Sequence, residues 1–150
     1  MNKPLVLVGI GQALAVGVAV WGQLSAATTG TEVRLVTAPV DPMDPFRGAY
    51  VQVGYETLDA LHPDDSGSSQ VYVSLRRDGD VWTATSVAND RPASGTYLAC
   101  ENNYGRLDCG IDSWFVSERT ASQFESGKKF VAVIKVDRWG HTHLVEVRER

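Results

Sequence analysis

The chain has 150 residues, 43% of them hydrophobic, which suits one domain with its own core and is too short for two ordinary ones. Its net charge is -4 and its acidic and basic residues are interleaved, so it lacks the basic face that a DNA or RNA partner requires.

After Lys3, residues 4–30 carry no charge, and LVLVGIGQALAVGVAVWGQL has the length of a helix that crosses a hydrocarbon core. This predicts a transmembrane anchor from about Pro4 to Leu24, inside an N-terminal segment 1–27 that precedes a single domain at 28–150. A cleaved signal peptide is the alternative, because LSAA ending at Ala27 offers small residues to a peptidase. Its apolar region, however, normally covers only about 7 to 15 residues. Trp21 fits an anchor, since an indole at the end of a span sits at the membrane interface. Lys3 and the amino terminus stand before the span, and Glu32 and Arg34 cancel after it. The positive-inside rule therefore places the domain outside the cytoplasm, on a single-pass protein of the cell membrane whose first partner is the bilayer.

Beyond the anchor, short alternating apolar runs separated by Gly, Pro, Asn and Asp predict an antiparallel β-domain. TEVRLV alternates Val33 and Leu35 with Glu32 and Arg34, as a first strand should. Residues 55–70 pass from a strand end into a polar loop, expected to be flexible at Asp64 to Ser69. VYVSLRRDGDVWTATSV reads as a hairpin, with Val71, Val73 and Leu75 on one face and Asp78-Gly79 supplying the turn. A second hairpin turns near Asn102 to Gly105, between the only two cysteines, Cys100 and Cys109. In an oxidising compartment such a pair forms a disulfide; a zinc site would need two further ligands and a tighter spacing. The loop it closes is small, so its stabilisation falls at the lower end of about 2 to 4 kcal/mol.

Ser117 as N-cap, Glu118 in the first turn and Gly127 as a stop predict a helix near Glu118 to Ser126. KKFVAVIKVDRWGHTHLVEVRER then reads as strand, turn and strand, with a frayed tail from Arg148. The expected fold is α+β: a mostly antiparallel sandwich or partial barrel, with one short helix covering an opening, behind an N-terminal transmembrane helix.

The most constrained stretch is DPMDPFRGAYVQVGYE. Its prolines disfavour helix at Asp41 and Asp44, Gly48 can take a positive φ, and a strand follows. In that strand Val51, Val53 and Tyr55 face one way and Tyr50, Gln52 and Gly54 the other. One reading is a rigid corner with both tyrosines packed. The other is a binding surface of Asp41, Asp44, Arg47 and Tyr50, joined by Tyr55 if a bulge at Gly54 brings the two rings to one side. His141 and His143 have a usable metal spacing but lack an evident third ligand, and His62 has no predicted neighbour. No serine sits in a nucleophile motif, so no catalytic residue, cofactor or metal site is assigned.

The corner also carries a family likeness. Gly48, Tyr50, Val53 and Tyr55 occupy the Gly, first Tyr, Leu and second Tyr positions of a Gly-Asp-Tyr-x-x-Leu-x-Tyr signature. With GTEVRLVTAPVDP upstream and WFVSERTASQFE downstream, the chain resembles the bacterial GDYXXLXY family of membrane-anchored proteins. Ala49 departs from the signature Asp, so no turn bond, metal contact or catalytic step can rest on a carboxylate there. The family has no assigned activity and its genes often neighbour those of polytopic membrane proteins, so the resemblance implies a membrane-protein partner. The expected role is that of an extracytoplasmic interaction or accessory domain. The alternative is an enzyme or small-ligand binder using the Asp41 to Tyr55 corner.

Overall fold

The computed structural model describes residues 3–37, 50–63, 70–115 and 129–150. The corner from Asp41 to Ala49, the Asp64 to Ser69 loop and the predicted helix near Glu118 to Ser126 lie outside the described residues.

The uncharged N-terminal run forms one helix, α1 (Lys3–Thr29), long and apolar enough to cross a membrane. From Val6 to Trp21 every residue of α1 is exposed, including Leu7, Leu14 and Val18. Among the described residues, it is the last two turns of α1 that pack against the sheet, and there Ser25 and Ala26 are buried.

A single residue, Gly30, separates α1 from β1 (Thr31–Val36). The chain then gives β2 (Tyr50–Gln52), a one-turn helix α2 (Glu56–Asp59), β3 (Gln70–Asp78), β4 (Val81–Ala88), β5 (Thr96–Asn103) and β6 (Arg106–Asp108). It ends with β7 (Ser113–Phe115), β8 (Phe130–Val136) and β9 (Thr142–Glu149). Seven strands make one curled sheet in the order β6-β5-β3-β4-β1-β8-β9, a half-barrel, and β2 pairs with β7 in a separate two-stranded ribbon.

All pairings in the large sheet are antiparallel except β1 with β4, which meet only at Leu35 and Trp82. The concave face buries Val33 and Leu35 of β1, Val71, Val73 and Leu75 of β3, and Leu98 of β5, with Ala132 and Ile134 of β8. These are the alternating positions that a one-sided sheet requires. Strand β8 departs from alternation, as FVAVIKV is buried at every position but Lys135.

Both predicted hairpins form. Gly79 takes φ 60° in the β3–β4 turn, and Tyr104 and Gly105 take φ 53° and 84° in the β5–β6 turn. The disulfide joins Cys100 of β5 to Cys109 just beyond β6. The tail is not frayed: Arg148 pairs with Val131, and the Arg150 N–H donates to the Lys129 carbonyl. Helix α2 was not predicted. It is one turn long and has no side-chain cap, and it is held by burial of Leu58 rather than by local propensity.

Candidate functional site at the helix–sheet junction

Of the residues proposed for the corner, Asp41, Asp44 and Arg47 lie outside the described residues, and Tyr50 is described only as the backbone partner of Phe115. Tyr55 is in the core, 4% exposed, and its hydroxyl donates to the Ile111 carbonyl at 2.8 Å. Burial, helped by the Asp112 carboxylate, pushes its phenol far above the ordinary range. Tyr55 thus ties the start of α2 to the segment between Cys109 and β7 and presents no surface to a ligand.

The concentration of polar groups lies elsewhere, where α1 meets the β8–β9 hairpin. The turn between these strands is Asp137-Arg138-Trp139-Gly140-His141. Asp137 is 6% exposed, and its Oδ1 accepts the backbone N–H groups of Trp139 and His141, each at 2.9 Å. Its Oδ2 lies 2.9 Å from His141 Nδ1, and the Ser25 hydroxyl of α1 also bonds to the carboxylate. Burial alone would raise the Asp137 pKa, but the bonds from Ser25, His141 and the two backbone N–H groups outweigh it and hold the carboxyl below its usual range.

Around this carboxylate the helix and hairpin are locked at successive levels. Lys135 Nζ donates to the Ala27 carbonyl at 2.8 Å and the Gly30 N–H to the Ala26 carbonyl at 2.9 Å, satisfying two carbonyls at the helix end. A Cβ on Gly30 would stand 2.3 Å from the Ala26 oxygen and 2.9 Å from Lys135 Cβ and Val136 N, so only glycine fits at this crossing. About two turns before Gly30, the His141 ring lies 3.2 Å from where a Cβ on Gly22 would be. Helix and ring approach because Gly22 has no side chain.

The same turn is fixed from the opposite side by β5. The Ala99 N–H donates to the Gly140 carbonyl at 2.9 Å, and the Arg138 carbonyl accepts both the Tyr97 hydroxyl, at 2.7 Å, and Arg91 Nη2, at 2.6 Å. Gly140 takes φ 84°, and a Cβ there would stand 2.8 Å from Ala99 N and from the Tyr97 ring. No part of the turn is free to shift without breaking one of these bonds.

Two open grooves flank the outer end of α1. One, of about 420 Å³, is lined by Gly22, Gln23, Glu101, Asp108 and His141, among others. The second, of about 350 Å³, is lined by Gln23, Ser113, Trp114, His143 and Leu144 with their neighbours. His141 and His143 therefore face different surroundings. Among the described residues no group of three His, Cys, Asp or Glu side chains is placed to hold a metal ion. Asp137 and His141 resemble the orienting pair of a general base, yet the Ser25 hydroxyl bonds the carboxylate. No relay from hydroxyl to imidazole to carboxylate is built here. What the arrangement does is join two elements. The sequence signal for it was DRWGH, an Asp whose side chain can accept N–H groups two and four residues ahead beside a Gly at positive φ.

A long apolar helix running without a linker into a disulfide-bearing half-barrel defines a small β-domain joined to a potential membrane span. A family model described as GDYXXLXY protein matches residues 12–147, nearly the whole chain, and the protein belongs to that family. No curated protein and no solved structure matches the chain.

Proposed function

We propose that this protein is a membrane-anchored accessory domain, held outside the cytoplasm by α1 and acting with a polytopic membrane protein. The observation that carries the reading is the junction itself. The stretch from Lys3 to Trp21 is about 19 residues, roughly 28 Å of helix, close to the ~30 Å of a hydrocarbon core. Immediately beyond it, one side of the helix end is packed against the β8–β9 hairpin, through Gly22, Ser25, Ala27 and Gly30. A domain fixed in this way has one height and one orientation relative to the bilayer, which suits work beside another membrane protein and does not suit a domain that reaches for distant targets. The Cys100–Cys109 disulfide supports an oxidising compartment, and Lys3 ahead of the span supports the sidedness.

An enzyme or small-ligand binder built on the Asp41 to Tyr55 corner is the weaker reading, because the Tyr55 hydroxyl is committed to Ile111 inside the core. Two experiments test the leading one. In intact cells, a membrane-impermeant thiol reagent should label Asp80→Cys on the β3–β4 turn; labelling only after lysis overturns the sidedness. Co-purification from detergent-solubilised membranes should enrich a polytopic protein with the native chain, and the absence of any enriched partner counts against the accessory role.

A further inference from the structure

From the geometry of the β8–β9 turn we infer that it is a second membrane contact: Trp139 lies in the headgroup layer and the Arg138 guanidinium engages a lipid phosphodiester. The contact rests on the anchored reading above and adds a surface that α1 alone does not supply.

The turn's level follows from the helix. Thr31 pairs with Val136, the last residue of β8, so β8 ends level with the end of α1 and the turn that follows continues past it. From there the chain runs back along the helix toward the exposed apolar stretch. Lys135 meets Ala27, Asp137 meets Ser25, and His141 meets Gly22. Gly22 follows Trp21, which is 58% exposed at the boundary where an indole is expected. The tip of the hairpin, Arg138 and Trp139, therefore stands at the level of Trp21.

The side chains there match that level. Arg138 is exposed and its guanidinium carbon sits 4.0 Å from the centre of the partly exposed Trp139 ring. Tryptophan prefers the headgroup layer, while a stacked guanidinium keeps donors free for phosphate oxygens. Arg91, held against the Arg138 carbonyl, brings a second positive charge to the turn. The net charge of -4 gives the whole domain no attraction to an anionic surface, so the contact is local. The bonds from Asp137, Tyr97 and Ala99 fix the turn's depth before any lipid binds.

The test uses the full chain reconstituted in vesicles of equal parts phosphatidylcholine and phosphatidylglycerol, doped with lipids brominated near the headgroup or near the chain end. Two single-tryptophan forms are compared, each carrying Trp82→Phe and Trp114→Phe, with either Trp21→Phe or Trp139→Phe. Trp139 is expected to lose at least half of its emission to the shallow bromines and little to the deep ones, and Trp21 also to be quenched. Quenching of Trp21 without Trp139 overturns the turn contact while leaving the anchor, and points that face toward a protein partner. Loss of quenching at both positions overturns the anchor as well. A second probe avoids multiple core substitutions. The described residues hold no free cysteine, so a fluorophore on Arg138→Cys should be quenched by shallow nitroxide lipids. One on Lys129→Cys should not, because Val36 opposite Val131, and the Thr37 N–H donating to the Phe130 carbonyl, put the start of β8 at the end of β1 away from α1. Equal quenching of the two labels, or none at position 138, overturns the contact.

Discussion

The β5–β6 and β8–β9 hairpins border the same groove beside α1, yet different chemistry closes them. The first is closed by a covalent bond between Cys100 and Cys109. The second is closed by one buried carboxylate, Asp137, that gathers two backbone N–H groups, an imidazole and a hydroxyl from the helix. They are stitched together where Thr142 Oγ1 donates to the Cys109 carbonyl at 2.6 Å. A disulfide ignores pH and yields to reductant, whereas a carboxylate lock does the reverse. The covalent lock restrains only its own hairpin, while the polar one also holds α1.

Five variants sharpen that contrast. Gly140→Val should be the most damaging, at about 3 kcal/mol or more, because it adds positive-φ strain to a clash with the β5 backbone. Denaturant titration in detergent measures it, and a loss below about 1 kcal/mol would show that the turn yields more than its contacts suggest. Asp137→Ala should cost about 3 kcal/mol, since it strands buried donors on both the hairpin and α1. Asp137→Asn should cost less. In the paired Cys100→Ser, Cys109→Ser variant the expected loss is about 2.5 kcal/mol, and reductant should produce the same loss in the native chain. If the helix end became protease-sensitive in the cysteine variant and not in Asp137→Ala, the division of labour proposed here would be reversed. Tyr55→Phe should be mildest, at about 1 kcal/mol for one buried hydrogen bond.

Acid adds a further handle. Asp137 is held below the ordinary carboxyl pKa in the folded chain, so near pH 4 the unfolded chain binds more protons than the folded one. Its contribution is complete above about pH 4 and is lost as the pH falls through the folded value. Stability measured from neutral pH downward should decline less steeply in Asp137→Asn than in the native chain. Equal slopes would mean that other carboxylates dominate the acid limb.

Most of the fold was legible because its signals are local. Alternation at Val33 and Leu35 and at Val71, Val73 and Leu75, Asp-Gly at 78–79, and cysteines flanking a turn each specify an element within a few residues. The unbroken apolar run gave α1 by length alone. What escaped was set by tertiary contacts. Helix α2 depends on the burial of Leu58, the parallel meeting of β1 and β4 at Leu35 and Trp82 depends on the curl of the sheet, and β9 continues past Arg148 because β8 is there to pair with it. The junction was missed for the same reason. Ser25 and Asp137 are 112 positions apart in sequence, and nothing in either segment marks the other as its partner. His141 and His143 drew notice as possible metal ligands, whereas the informative spacing was from Asp137 to His141.

The single-residue passage through Gly30 also couples rotation about the helix axis to the direction the domain faces. Each residue of an α-helix turns by about 100°, so one alanine inserted between Trp21 and Gly22 would swing the half-barrel to another side of the Lys3–Trp21 stretch while keeping its distance along the axis nearly unchanged. The face of α1 turned toward any neighbour therefore selects which strands of the domain that neighbour meets.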